Sequence, residues 1–217
     1  MNLDDLHARV ASEWAQDGLM EHASIASFAR FTLHLLAVGA PPELLTMAHQ
    51  AGLDEIEHAR LCFRLAARFG GAAVGPGPLP LEGDVIGDTS LAGVVAAAVE
   101  EGCVGETLAA IEAGAAHEAA VDPEVRAALA VITQDEANHA ELAWRFVRWA
   151  IALDPAMREV AGEVLQAALV AQVPVPEEEA DADGLAALGR LTAHRRALLR
   201  KEGLAEVVRP AALALLR

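Results

Sequence analysis

This chain of 217 residues contains no tyrosine, and aromatic residues make up only 4% of it. Strands favour β-branched and aromatic side chains, so this shortage argues against a sheet fold. Cysteine is nearly absent too. Cys62 and Cys103 cannot build a four-thiolate iron module, and they supply no disulfide framework. Basic residues are scarce: 16 Lys and Arg stand against 32 Asp and Glu, a formal net charge of −16. That balance excludes nucleic acid and anionic lipid as general partners. Long apolar runs are missing; the stretch 91–99 falls well short of the about 20 residues that span a bilayer. The opening MNLDDLHARV carries acids early and has no apolar core of the signal-peptide kind. The expectation is a soluble, cytoplasmic protein with no membrane partner.

What the chain does contain is Ala, Leu, Glu and Arg in helical periodicity. A first helix is predicted over 3–38, with Leu3, Leu6, Val10, Trp14, Ile25, Phe28 and Leu35 on one face. Gly39 stops it, and Pro41–Pro42 start a second helix over 42–69. The stretch 70–88 is too rich in Gly and Pro to be helical. A third helix is expected over 90–117. Asp122–Pro123 reads as an N-cap followed by Pro at the first helical position, opening a fourth over 123–153. Asp154–Pro155 repeats that device for a fifth helix, and one or two more follow from about 183.

Short loops join helices one and two, and three and four, so each pair is an antiparallel hairpin. The 70–88 linker reaches up to roughly 60 Å when extended, and a helix over 42–69 is roughly 42 Å long. The linker can therefore cross the bundle end to end. This predicts an all-α four-helix bundle over 1–153, with a C-terminal helical extension over 154–217.

An internal repeat carries the chemistry. DEIEHARLCFR (54–64) and DEANHAELAWR (135–145) agree at Asp54/Asp135, Glu55/Glu136, His58/His139, Ala59/Ala140, Leu61/Leu142 and Arg64/Arg145. One E-x-x-H is a weak signal. Two copies in matched flanks, each on the second helix of a hairpin, are a strong one. Glu and His three apart share a helix face, and here that face is apolar. A buried ionised Glu is costly unless it is paired or binds a cation. On the first helix of each hairpin, Glu21 lies on the core stripe between Trp14 and Phe28, and Glu106 lies on a face with Val99, Cys103, Ala110 and Ala113. Glu101 and Glu112 are rivals to Glu106, and spacing does not separate them. One Glu from each first helix with one E-x-x-H from each second helix is the ligand set of dimetal carboxylate sites in bundles. Four carboxylates balance two divalent cations, and mixed O/N ligation fits iron or manganese.

On these residues, Glu21, Asp54-Glu55-x-x-His58, Glu106 and Asp135-Glu136-x-x-His139, the sequence resembles the ferritin-like superfamily of bacterioferritins, rubrerythrins and oxygen-activating di-iron proteins. The likeness covers about 3–153. GCVGET around Glu106 and EHASIASFARF around Glu21 also resemble a bacterial ferritin-like group. The resemblance implies that Glu55 and Glu136 bridge two metal ions, most simply iron, with manganese or a mixed pair as alternatives. It also implies that Glu21 and Glu106 are terminal ligands and that His58 and His139 give one nitrogen to each ion. Asp54 and Asp135 are then expected to orient the histidines from behind.

The activity implied is oxidation or oxygenation of a small organic substrate with O2 or peroxide, with an external electron donor and a homodimer both compatible. Ferroxidase and rubrerythrin-like peroxide reduction are alternatives, and a non-enzymatic helical interaction module is the bland reading. Without tyrosine, a tyrosyl radical of the ribonucleotide reductase kind is excluded. The basic residues near the C-terminus, Arg190, Arg195, Arg196, Arg200 and Lys201, form either a solvated face or a surface that docks on the acidic body.

Overall fold

A computed structural model describes residues 2–81 and 85–217, and among these it contains helices and no strand. Helix α1 spans Leu3–Ala37 and α2 spans Pro42–Gly70. Asn2 caps α1 by accepting from the Asp5 N–H at 2.8 Å, and Pro42 opens α2 at a position that needs no N–H donor. A third rod follows the crossover. It consists of α3 (Leu91–Ala97), a π-helical stretch π1 (Ala98–Glu106) and α4 (Thr107–Ala119), without a break between them. Helix α5 spans Pro123–Leu153. Its cap is Asp122, which accepts from the Glu124 and Val125 N–H groups at 3.0 and 3.2 Å. The same carboxylate takes both Arg68 guanidinium nitrogens at 2.8 and 2.7 Å, tying the end of α2 to the start of α5.

Two local differences from the sequence reading stand out. The third rod is not a uniform α-helix. π1 contains Gly102 and Gly105, residues of weak helix propensity, and π turns admit the extra residue that such a stretch needs. Helix α6 (Met157–Val170) begins later than Pro155, because the Asp154 carboxylate accepts from the Ala156 N–H and leaves Pro155 in the turn. In the crossover, the His34 ring nitrogen lies 2.6 Å from the Ile86 carbonyl, and residues 82–84 lie outside the described residues.

Cross-helix contacts fix the directions. His58 meets Asp135 and His139 meets Asp54, so α2 and α5 run antiparallel. Each also forms a hairpin with the rod beside it in sequence. Helix α2 and the third rod therefore run the same way, as an end-to-end crossover requires.

A polar layer divides the core in two. One apolar cluster holds Phe28, Leu35, Ala48, Val99, Cys103 and Phe146. The other holds Val10, Trp14, Cys62, Leu65, Leu129 and Ile132. Along α1, α2 and α5, the residues between the clusters are Glu21, then Glu55 and His58, then Glu136 and His139. Both cysteines are buried and free, one in each cluster.

The extension adds α7 (Ala182–Ala187), α8 (Ala193–Gly203), a second π stretch π2 (Leu204–Val208) and α9 (Arg209–Leu215). It is not a separate unit. Leu165, Val208 and Ala212 join the first core cluster, and Leu185, Leu191 and Leu199 join the second. Of the basic residues, Arg190 is 5% exposed, stacks over Trp14 and pairs with Glu13 and Asp17, so that part of the cluster docks on the acidic body. Arg195 and Lys201 stay exposed. No described helix is long and apolar enough to cross a membrane.

Candidate metal centre

The six acids and histidines of the sequence pattern meet in the polar layer. Glu55, His58, Glu136 and His139 are 1%, 0%, 5% and 2% exposed, and Glu21 and Glu106 are half-buried. They form two groups, each close enough to hold a metal ion: Glu21, Glu55, His58 and Glu136, and Glu106, Glu136 and His139. Glu136 belongs to both. Its Oε1 lies 3.6 Å from His58 Nδ1 and its Oε2 3.6 Å from His139 Nδ1. Glu55 is placed the same way, with Oε2 3.9 Å from His58 Nδ1 and Oε1 3.3 Å from His139 Nδ1. Each of these two carboxylates thus turns one oxygen to each histidine. Glu21 Oε2 is 3.7 Å from His58 Nδ1.

The outer edges of the two imidazoles face the aspartates of the repeat, and the pairing is crossed. His58 Nε2 lies 3.1 Å from Asp135 Oδ2, and His139 Nε2 lies 3.4 Å from Asp54 Oδ2. Gln50 donates to the other Asp54 oxygen at 2.7 Å. With Nε2–H given to an aspartate, each Nδ1 lone pair is free to face inward. Phe28 packs against the His139 ring at 4.9 Å and further restricts it.

Four buried atoms in this layer have no hydrogen-bond partner among the described residues: Glu55 Oε2, Glu136 Oε2, His58 Nδ1 and His139 Nδ1. Buried polar atoms are ordinarily satisfied. Four carboxylates and two inward ring nitrogens converge here, which is the donor set of divalent cations, so the residues present fit them.

The protonation pattern of the metal-free chain says the same. Burial pushes the Glu21 carboxyl up to about 8, with Glu55 and Glu136 adding to the rise against the pull of His58. Burial and the neighbouring Glu136 push Glu106 up to about 10. Burial draws the His58 imidazole down, but Glu21, Glu136 and Glu55 outweigh it and lift the ring to about 9. His139 reaches about 11 for the same reason, against burial, through Glu136 and Glu55. Burial also opposes the charge on Glu136, but His139, Glu106 and His58 hold that carboxylate below its usual range. Protons take the place of cations.

The rivals to Glu106 are placed elsewhere. Glu101 is exposed and paired with Arg30 at 2.5 Å, and it falls in neither group. Glu112 faces Arg200 on a cavity wall. The π stretch ends on Glu106 itself. It also brings Gly102 against α5: a Cβ there would sit 2.4 Å from the Ala143 Cβ. Gly102→Ala is therefore expected to force π1 and α5 apart, destabilising the fold by about 1–3 kcal/mol. It should also weaken metal uptake at Glu106 and His139, read by thermal melting and by metal titration of the same variant.

Two cavities open onto the layer. A small one, about 50 Å³, is lined by Phe28, Phe31, Leu142 and Ala143 and reaches Glu106 and His139. A larger one, about 210 Å³, reaches Glu21 and Glu136. Comparison with protein-family models, with curated proteins and with solved structures finds no match.

Proposed function

We propose that this chain is a ferritin-like bundle binding two iron ions, and that it uses O2 or peroxide to oxidise a small organic molecule. The observation that carries the reading is the pair of carboxylates set between the two histidines. Glu55 and Glu136 each present one oxygen to each of two buried histidines, leaving four inward atoms without partners. Charge supports it as well: four carboxylates and two neutral imidazoles are balanced by two divalent ions. Mixed oxygen and nitrogen ligation favours iron or manganese over the thiolate-seeking metals.

When bound, iron supplies the electrons and the Lewis acidity that O2 or peroxide activation needs, which the side chains here cannot. The side chains do the rest. Asp54 and Asp135 hold the imidazoles in one tautomer and one orientation. Glu21 and Glu106 complete one end each and can carry a proton when their charge is not needed. Phe28, Phe31 and Leu142 give the Glu106 side an apolar lining accessible to a small apolar molecule such as O2. The larger cavity on the Glu21 side gives an organic reactant a place, which iron storage alone would not require.

Anaerobic Fe(II) titration of the metal-stripped protein, followed by air and an iron count per chain, tests this. The expected result is saturation and retention near two. Retention of many more would make the protein an iron store, and no uptake would remove the metal centre altogether.

A further inference from the structure

The larger cavity has a wall that the four-helix body does not supply. The segment after α7 turns at Gly189, lays Arg190 over Trp14 and brings Leu191 to the cavity; α8 then brings Arg196 and Arg200 to the same space. Gly189 is required for that turn. Its φ is +74°, and a Cβ there would lie 2.4 Å from Val125 Cγ1. The body contributes apolar lining from Cys62, Leu129 and Ile132, and the carboxylates Glu21 and Glu136 also reach the cavity.

Charge inside this space is uneven. Arg190 is neutralised by Glu13 and Asp17. Arg200 Nε lies 2.6 Å from Glu112 Oε1, although its N–H is not aimed at that oxygen, which has no hydrogen bond. Among the described residues, no carboxylate lies within ion-pair distance of half-buried Arg196, and only the longer-range charges of Glu112 and Glu179 reach it. A second observation is independent of the arginines. Trp14 is 1% exposed and lines the cavity, and its indole N–H has no acceptor. A guanidinium without a direct ion pair and a buried N–H without an acceptor share a cavity, and both would be satisfied by a ligand oxygen bearing negative charge.

We infer that this cavity binds a small organic carboxylate, with its charged end at Arg196 and its apolar body against Leu129 and Ile132, directed toward Glu21. A simple inorganic anion would leave the apolar part empty. At about 210 Å³ the space exceeds the about 150 Å³ of an engineered cavity that takes up benzene, so an aromatic or short branched acid fits. Binding of the acid rests on the extension's arginines. Its role as reactant rests on the dimetal reading above.

The test is calorimetric titration of the metal-loaded full chain with benzoate, and with benzamide as a neutral molecule of the same shape. Benzoate is expected to bind, and benzamide to bind at least tenfold more weakly. Arg196→Gln should weaken benzoate about tenfold or more. Arg158→Gln, the same charge change on the exposed face of α6, should leave it unchanged. Melting curves confirm that both variants are folded. No heat with benzoate, equal binding of benzamide, or benzoate binding that ignores Arg196→Gln each overturns the inference. Metal counts on the same samples separate the two readings. Two ions without benzoate binding would sink the carboxylate site alone, and benzoate binding without metal uptake would sink the dimetal centre alone.

Discussion

Glu136→Ala is expected to bind no metal pair, whereas Glu106→Ala keeps one ion and Glu101→Ala keeps two. The three carboxylates differ in what they face. Glu136 contributes an oxygen to both groups of ligands, 3.6 Å from each of two inward-facing imidazole nitrogens. Removing it leaves Glu106, His139 and a single Glu55 oxygen on one side and strips the shared oxygen from the other. Glu106 serves one group only, and the group of Glu21, Glu55, His58 and Glu136 stays complete without it. Glu101 serves neither and is held at the surface by Arg30. Elemental analysis after anaerobic loading with Fe(II) reads the stoichiometry, and circular dichroism checks that each variant is helical. Two ions retained in Glu136→Ala would falsify the shared-carboxylate site.

Much of this centre was legible in the sequence because its residues break a strong pattern. Glu55, His58, Glu136 and His139 stand on faces that are otherwise apolar, and the repeat matches them in pairs. The crossed aspartates were legible only in part. Each Asp stands one turn before the His of its own helix, which suggests a local partner. Once α2 and α5 are antiparallel, the same spacing sets each Asp opposite the other helix's His, as the 3.1 and 3.4 Å contacts show. The direction of packing, not the motif, makes that assignment.

Other features had no periodic signal. π1 adds a residue to a rod whose apolar spacing reads as ordinary α-helix, and only Gly102 and Gly105 hint at it. In the sequence Arg190 belongs to a basic run that is either solvated or docked on the acidic body, with nothing local to decide which. Its burial depends on a turn at Gly189 and on Trp14, 176 positions earlier in a chain of 217 residues, and no local pattern encodes such a contact. The extension as a whole is legible as helix but not as wall. Its apolar residues Leu185, Leu191 and Leu199 show only that it must pack somewhere.

Metal binding is expected to be steeply pH-dependent, and metal-free and metal-loaded protein should respond to pH in opposite senses. In the metal-free chain Glu21, Glu106, His58 and His139 hold protons at neutral pH, with pKa values of about 8, 10, 9 and 11. Bound cations need these groups as carboxylates and neutral imidazoles, so uptake of a pair releases up to four protons, one from each. Below pH 8 the overall constant for two ions should then rise by up to about 10⁴ per pH unit. Folding follows the same linkage. All four groups bind protons more tightly in the folded chain than in the unfolded one, where acids titrate near 4.5 and histidines near 6.5. The folded state therefore carries more protons, and metal-free stability falls as pH rises. The carboxyls begin that loss above about 4.5, and the histidines add to it above about 6.5 until their folded pKa values are passed. Metal reverses the trend, because two ions at a thousandfold excess over their dissociation constants add about 4 kcal/mol each. For a chain of this size that raises the melting temperature by roughly 15–30 °C. Melting curves from pH 5 to 9, with chelator and with Fe(II) or Mn(II) under anaerobic conditions, should diverge as pH increases. Parallel curves, or a metal-free protein that gains stability toward pH 9, would show that these side chains do not meet as a buried, proton-filled cation site.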